Sequence, residues 1–291
     1  MNSLAEKMIE ILTLLVLGLS VPGQADRRHA DVENIGRRTL SGLAGGLLPE
    51  SMTLEREIAL GKHAAAQIEN TIRLIEEPQI AGYIDRIGQN LVQHSDARVP
   101  FRIKVLDSKE VDACALPGGY LYVTSGLVLA ADNEAELGGA MAHGISHVAA
   151  RHAAQVLAEA RVLQITATPA HLVLGHWPGP IARDTASPGS KLGLTAIIRE
   201  AENEADQLGI QYLWNSGYDA GAYVAFLEKF LESPAPRPGF VRVLPDTRDR
   251  ISASTNELRQ LPVKDRSIVD TSEFERVKHR VRALRLETEA R

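Results

Sequence analysis

The sequence has a single cysteine and no marked excess of either charge, and each shortage excludes a class of protein. Cys114 stands alone among 291 residues, so the chain cannot form an internal disulfide or a cysteine-rich metal site. Lysine and arginine number 32 against 37 aspartates and glutamates, a formal charge of −5, and no long basic run is present. We therefore expect no nucleic-acid partner, because neutralising phosphates requires clustered basic residues.

The apolar run near the N-terminus is short and covers only residues 11–21 (ILTLLVLGLSV). A membrane-spanning helix needs about 20 apolar residues, so this run is too short to span comfortably. It fits the core of a secretory signal peptide over residues 1–25, and small residues at Gly23 and Ala25 predict cleavage near Ala25. The mature protein would then be periplasmic or secreted. The alternative that stays open is an uncleaved helix that tethers the chain to a membrane.

Hydrophobic periodicity predicts a mostly helical α+β fold. Apolar residues recur at helical spacing near residues 53–75, 80–91, 133–163, 192–215, 220–232, 250–261 and 272–286. Residues 101–105 alternate apolar and polar side chains as in a strand. Short apolar runs on both sides of Pro117-Gly118-Gly119 predict a tight turn between two extended segments. Asn133 and Glu136 have the spacing of a capping box at the start of the third helix.

The same patterns divide the chain into four regions. We predict a signal peptide (1–25), a flexible lead-in (26–52), a folded domain (53–262) and a C-terminal helical extension (263–291). Residues 164–190 are rich in proline and glycine and are predicted to form a loop or a broken helix.

Two pairs of polar residues indicate a metal site. His143 and His147 lie four residues apart in one predicted helix, so both imidazoles share a face and can reach one ion. Two histidines leave a zinc site short of one protein ligand. Glu202 and Asp206 have the same spacing on the next long helix, where one carboxylate can bind zinc and the other can orient a ligand imidazole. A solvated helix face would explain the histidine pair if it stood alone. It explains less well that a carboxylate pair with the same spacing lies on the next long helix.

These residues belong to a series of motifs that resembles the zinc metallopeptidases of the HtpX and CAAX prenyl protease family, most closely its soluble periplasmic, BepA-like branch. Residues 115–120 (ALPGGY) are similar to the edge-strand motif of the family, and residues 134–143 (EAELGGAMAH) to the approach to its H-E-x-x-H. Residues 147–152 (HVAARH) match the continuation, and residues 202–206 (ENEAD) match the E-x-x-x-D of the family. The resemblance covers roughly residues 53–261.

The resemblance implies a zincin-like metallopeptidase domain over residues 53–262, with a small sheet beside the active-site helix. It implies one Zn²⁺ per chain, with His143, His147 and Glu202 as ligands and Asp206 as the orienting carboxylate. It also implies zinc-dependent cleavage of extended or misfolded polypeptides in the cell envelope, and it leaves membrane contact open. The edge strand that pairs with a polypeptide would comprise Leu116, Pro117, Gly118, Gly119 and Tyr120.

Two departures from the family pattern bear on catalysis. Gly144 occupies the position of the glutamate that deprotonates the zinc-bound water, and glycine has no group to do so. Leu244-Pro245 stands where some members have a His-Pro that can cap the zinc, whereas Arg250 keeps its expected distance and is a candidate catalytic residue. We therefore expect three protein ligands, an open fourth position and impaired catalysis.

Neighbouring polar residues receive more ordinary interpretations. His152, about a turn and a half beyond His147, is interpreted as structural, and Cys114 as a small buried hydrophobe. Glu204 is expected to point about 200° around its helix from Glu202, away from the metal. His171 and His176 lie in the proline- and glycine-rich segment and could cap the metal, although a histidine in a loop is more often solvated.

Two functions follow from these observations. The first is a metalloendopeptidase-family protein of the cell envelope whose catalysis is impaired by Gly144. The alternative is a non-catalytic pseudoprotease that binds polypeptides as a chaperone or scaffold. Turnover of unfolded casein, with and without a chelator, separates the two.

Overall fold

The computed structural model describes residues 31–40, 53–162, 188–231 and 247–289. Helices occupy Leu54–Thr71 (α1), Pro78–Gln93 (α2), Ser125–Ala130 (α3), Glu134–Ala149 (α4), His152–Val162 (α5), Pro188–Asn215 (α6), Gly221–Leu231 (α7), Thr247–Gln260 (α8) and Ser272–Glu289 (α9). Strands occupy Arg102–Leu106 (β1), Ala113–Leu116 (β2) and Tyr120–Thr124 (β3). The predicted mostly helical α+β class is confirmed. None of the described helices is long and apolar enough to cross a bilayer.

Several sequence predictions fall outside the described residues. They are the signal peptide with its cleavage near Ala25, the histidines His171 and His176, and the Leu244-Pro245 pair. The segment predicted as a loop over 164–190 is described only from Pro188, where α6 already begins.

The sheet places β2 at one edge, with strand order β1-β3-β2. β2 runs antiparallel to β3, as the turn chemistry predicts, and Gly118 and Gly119 in the turn have φ values of 78° and 89°. Residues with a Cβ rarely adopt such values, so the glycine pair permits the turn. β1 pairs with β3 in parallel from the other side, which the periodicity of a single strand does not predict.

Both faces of the sheet are covered. Successive side chains of a strand point to opposite faces, so each of β2 and β3 contributes to two hydrophobic clusters. Ala113, Leu121 and Val123 face the main core, which α2, α4, α6 and α7 share. Cys114, Leu116 and Tyr122 face a second cluster that includes Ala64 of α1 and Ile198 of α6. The prediction that Cys114 is a small buried side chain is confirmed, since it is 5% exposed.

The helix predicted from residue 133 to residue 163 is interrupted, and the single-helix prediction is wrong. Asn133 caps α4 by accepting a hydrogen bond from the Glu136 amide at 2.9 Å. α4 ends at Ala149, and Arg151 has a φ of 58° before α5 begins at His152. A positive φ is unfavourable for a residue with a Cβ, and Arg151 is held by an ion pair with the buried Glu57 of α1.

Both flanking regions pack on the domain where they are described. In the predicted lead-in, the Arg38 guanidinium is buried against Asp96 at 2.6 Å and donates to Gln211 at 2.7 Å. In the predicted C-terminal extension, α9 buries Phe274, Val277 and Val281 in the main core. The limits of the four regions stay predictions.

Candidate metal centre

Two helices of the core, α4 and α6, bring the predicted ligands together. His143 and His147 lie one turn apart on α4, and Glu202 reaches them from α6. The helices approach closely at Gly209, where an added Cβ would lie only 3.1 Å from the backbone nitrogen and Cα of His143. The absence of a side chain at this crossing therefore lets α6 place its carboxylates beside the α4 imidazoles.

The separations among the three side chains match a zinc site. His143 Nε2 and His147 Nε2 are 3.1 Å apart, and Glu202 oxygens lie 3.4 Å from the first and 3.5 Å from the second. Ligands at about 2.0–2.2 Å from a tetrahedral zinc are themselves separated by about 3.3 Å. Glu202 Oε2 is buried and, among the described residues, receives no hydrogen bond. A set of two imidazoles and one carboxylate with an unsatisfied buried oxygen therefore fits Zn²⁺.

Asp206 contacts the ring nitrogen of His143 that does not face Glu202. Its Oδ1 accepts a hydrogen bond from His143 Nδ1 at 2.9 Å and another from the Tyr223 hydroxyl at 2.6 Å. Arg250 donates to both carboxylate oxygens at 2.7 Å and lies 3.7 Å from Glu202. Arg250 is fully buried, so it contacts the carboxylates rather than the open cavity.

Burial and ion pairing set the protonation of these groups. Burial lowers the pKa of His143, but the nearby carboxylates of Asp206 and Glu202 outweigh burial, so the pKa lies above the ordinary 6.5. Burial lowers the pKa of His147 to about 3, even though the charge of Glu202 opposes this shift. Burial raises the pKa of Glu202 and of Asp206, but nearby histidines and Arg250 reverse the shift and hold both carboxylates below their ordinary pKa. His147 and both carboxylates are therefore deprotonated at neutral pH, as metal ligation requires.

His152 and Glu204 lie closer to the site than the sequence suggested. His152 Nδ1 is 3.0 Å from His147 Nδ1, and His152 Nε2 is 3.1 Å from Glu204 Oε2. Glu204 therefore reaches the Nδ1 side of His147 through His152. The spacing of residues 147 and 152 gives no hint of this contact, because it depends on the break between α4 and α5.

A cavity of about 90 Å³ opens beside the candidate ligands. Gly144 lines it, together with β2 and Pro117. A Cβ at residue 144 would lie 3.1 Å from Leu121 Cδ1 and 3.4 Å from the Ala113 carbonyl oxygen. Residue 144 thus faces the edge strand and the cavity, and the side chain that would project there is missing.

The predicted substrate strand is only partly at the edge of the sheet. Leu116 belongs to β2 and Pro117 follows it, and both line the cavity. Gly118 and Gly119 form the turn, which packs against Ile58 and Pro100, and Tyr120 begins the central strand β3. Within the described residues, β2 (Ala113–Leu116) is the edge strand that lines the cavity.

The sequence model of peptidase family M48 matches residues 78–258, which is more than half of the chain. The chain belongs to peptidase family M48. This family consists of zinc-dependent metallopeptidases, in agreement with the ligand set and with the resemblance found in the sequence. The matched region of this M48 protein contains β1–β3, α4 and Glu202, but not α1.

The similar curated proteins include beta-barrel assembly-enhancing proteases. The Escherichia coli (strain K12) protein is 30% identical over 222 residues, which cover 72% of this chain and 45% of that protein. The Yersinia pestis protein is 31% identical over 229 residues, which cover 72% of this chain and 46% of that protein. The chain thus spans about half the length of these relatives.

Proposed function

We propose that this M48 protein binds one Zn²⁺ and an extended polypeptide in the cell envelope, and that its peptide hydrolysis is weak because Gly144 replaces the general base. The observation that carries this proposal is that zinc-ligand separations and a position without a side chain occur at the same cavity. His143, His147 and Glu202 stand at zinc-ligand separations, while the adjacent position that faces the cavity has no side chain.

Each polar residue has a distinct task in this proposal. His143, His147 and Glu202 hold the ion, and Asp206 fixes the orientation of His143. Arg250 acts as a positioning residue, because it is buried and binds Asp206 through both Nε and Nη2. A bound zinc would polarise the scissile carbonyl and lower the pKa of a bound water. Gly144 leaves the proton of that water without an acceptor at this position.

The edge strand and the cavity support an extended polypeptide as the ligand. β2 pairs with β3 on one side only among the described residues, and its residues line the cavity beside the candidate ligands. An extended peptide could add to this edge through main-chain hydrogen bonds, with its side chains in the cavity. The apolar part of the lining, including Val148 and Ile198, suits an apolar substrate side chain.

A location in the cell envelope rests on the sequence and on the relatives. Residues 1–25 have the pattern of a signal peptide, and the similar proteins are named for the assembly of beta-barrels. We propose export followed by cleavage near Ala25.

The test of the proposal is the substitution Gly144→Glu. Restoring a general base should raise casein hydrolysis by the zinc-loaded protein by ~10²–10⁴-fold, because that is the usual contribution of such a base. The new Cβ must displace the Leu121 methyl group by a few tenths of an ångström, and the better helix propensity of Glu offsets about 1 kcal/mol of that strain. The measurement is the rate of casein cleavage with bound zinc quantified in the same samples.

Gly144→Gln is the matched control, because it has the same bulk and the same Cβ contact without a basic group. A Glu variant that binds zinc but cleaves no faster than the Gln variant would contradict the enzymatic part of the proposal. The alternative function, non-catalytic polypeptide binding, is favoured by the absent side chain at residue 144. It would then be tested by binding of unfolded casein to the wild type.

A further inference from the structure

Both candidate imidazole ligands have a second ring nitrogen that faces the protein. His143 Nδ1 contacts Asp206, whereas His147 Nδ1 lies 3.0 Å from His152 Nδ1. His152 is 2% exposed and Glu204 is 8% exposed, and the two are 3.1 Å apart. A row of three side chains in contact therefore runs from the half-buried His147 through the buried His152 to the buried Glu204.

We propose that His152 and Glu204 are positioning residues that fix His147 in the orientation and tautomer needed to bind the metal through Nε2. This inference rests on the proposed ligand set. A metal-bound imidazole is neutral and has one hydrogen, which lies on Nδ1 when Nε2 is the ligand atom. His147 Nδ1 then donates to His152 Nδ1, which leaves the hydrogen of His152 on Nε2 to donate to Glu204 Oε2. Each ring nitrogen of His147 and His152 thereby acts as a metal ligand, a hydrogen-bond donor or a hydrogen-bond acceptor.

The break between α4 and α5 makes this contact. In an uninterrupted helix, residue 152 would lie about 140° around the axis from residue 147 and would face away from it. The positive φ of Arg151 ends α4 and redirects the chain, so that His152 packs edge-on against His147 with ring centroids 4.9 Å apart. The Arg151 Nε group donates to Glu57 Oε1 at 2.7 Å, which ties this turn to α1.

The arrangement gives α6 three carboxylates with three tasks at one site. Glu202 is a ligand, Asp206 orients His143 directly, and Glu204 orients His147 through an intervening imidazole. Groups of this kind commonly raise metal affinity by ~10–100-fold, because they hold the ligand ring in place.

The His152→Ala variant should bind zinc more weakly than the wild type. The dissociation constant, measured by competition with a chromophoric chelator, should rise ~10–100-fold over the wild type. His63→Ala is the matched control, because His63 is exposed on α1 and should leave the dissociation constant unchanged. Glu204→Ala should weaken binding in the same direction. Glu204→Gln should retain most of the affinity, since its amide oxygen can still accept from His152.

A double variant tests whether Glu204 affects zinc binding only through His152. His152→Ala combined with Glu204→Ala should bind zinc no more weakly than the weaker single variant, because Glu204 acts only through His152. Losses that multiply, or a His152→Ala affinity within twofold of the His63→Ala control, would overturn the inference.

A second measurement needs neither zinc nor activity. Nitrogen-15 NMR of the metal-free protein should show the hydrogen of His147 on Nδ1 in the wild type and a mixture of both tautomers in His152→Ala. If the wild type binds no zinc, the proposed function fails. The spectrum of the metal-free protein still tests whether His152 fixes the tautomer of His147. An unchanged His147 tautomer in a folded His152→Ala variant, with folding checked by circular dichroism, would refute that role.

Discussion

Asp206 joins more of the site than any other single residue described. Its carboxylate accepts from the His143 ring, the Tyr223 hydroxyl and the Arg250 guanidinium, and neither Asp206 nor Arg250 is exposed. The charge of Arg250 opposes the effect of burial and keeps the pKa of Asp206 below its ordinary 3.8. The carboxylate is therefore charged over the whole neutral range, and its Oδ1 contacts both the imidazole and the guanidinium.

Asp206→Asn should destabilise the metal-free protein by about 3–5 kcal/mol at neutral pH, because the buried Arg250 loses the charged carboxylate to which it is hydrogen-bonded. The stabilisation from the lowered pKa is present above 3.8 and is lost as the pH falls through the folded-state value. The difference between wild type and variant should therefore shrink in strong acid. Urea unfolding at neutral and at acid pH measures both effects.

The matched control is the exposed pair Arg86–Glu273, whose side chains are 61% and 45% exposed. Glu273→Gln should change stability by no more than about 1 kcal/mol, because solvent screens a surface ion pair. Equal losses in the two variants would argue against a special role for the buried pair.

At the scale of the elements, α1 supports the site although it lies outside the residues matched by the family. It packs on the turn between β2 and β3, and its Glu57 binds Arg151 at the break after α4. The closest approach is at Gly61, where an added Cβ would lie 1.7 Å from the Pro117 carbonyl oxygen. α1 thus positions both the edge strand and the turn that carries His152.

Gly61→Ala should destabilise the protein by about 1–3 kcal/mol or more, because a backbone atom rather than a flexible side chain blocks the new methyl group. Gly82→Ala is the control, since the nearest atom to an added Cβ would be the flexible end of the Arg86 side chain, in the same helix, at 3.8 Å. That variant should be neutral or more stable by up to about 1 kcal/mol, as alanine favours a helix over glycine. Thermal unfolding of both variants tests the pair, and equal melting temperatures would contradict the close packing of α1.

At the scale of the whole molecule, the proposed zinc would join α4 to α6. These helices carry all three candidate ligands and lie in the main core. A ligand that binds only the folded state stabilises it by about 2.7 kcal/mol at a hundredfold excess over its Kd. For a domain of this size, such a gain raises the Tm by about 5–10 °C.

The gain from zinc should grow with pH. The raised pKa of His143 means that a proton stabilises the folded metal-free state below the ordinary 6.5, and that this contribution is lost as the pH rises through the raised value. Zinc must displace this proton, so the difference in Tm between zinc-loaded and chelated protein should widen as the pH rises. His147→Ala should show no such difference. A wild-type Tm that the chelator leaves unchanged at every pH would contradict a structural contribution from zinc.

Most of the local structure is predictable from the sequence. The capping residues Thr53 and Asn133 begin helices where the periodicity places them, and the glycine pair at 118 and 119 forms the predicted turn. The short helix α3 was missed, because six residues give too little periodicity to recognise. The parallel pairing of β1 with β3 also could not be predicted, since a strand pattern does not identify its partner.

By itself, the sequence determined the chemistry that the site can offer. The spacing of His143 and His147, repeated in Glu202 and Asp206, places each pair on one face of a helix, and Gly144 offers no side chain whatever the fold. Only the tertiary structure decided how these groups meet. The crossing at Gly209, the burial of Arg250 and the contact of His152 with His147 depend on packing between distant segments and on one residue with positive φ, which local spacing does not encode.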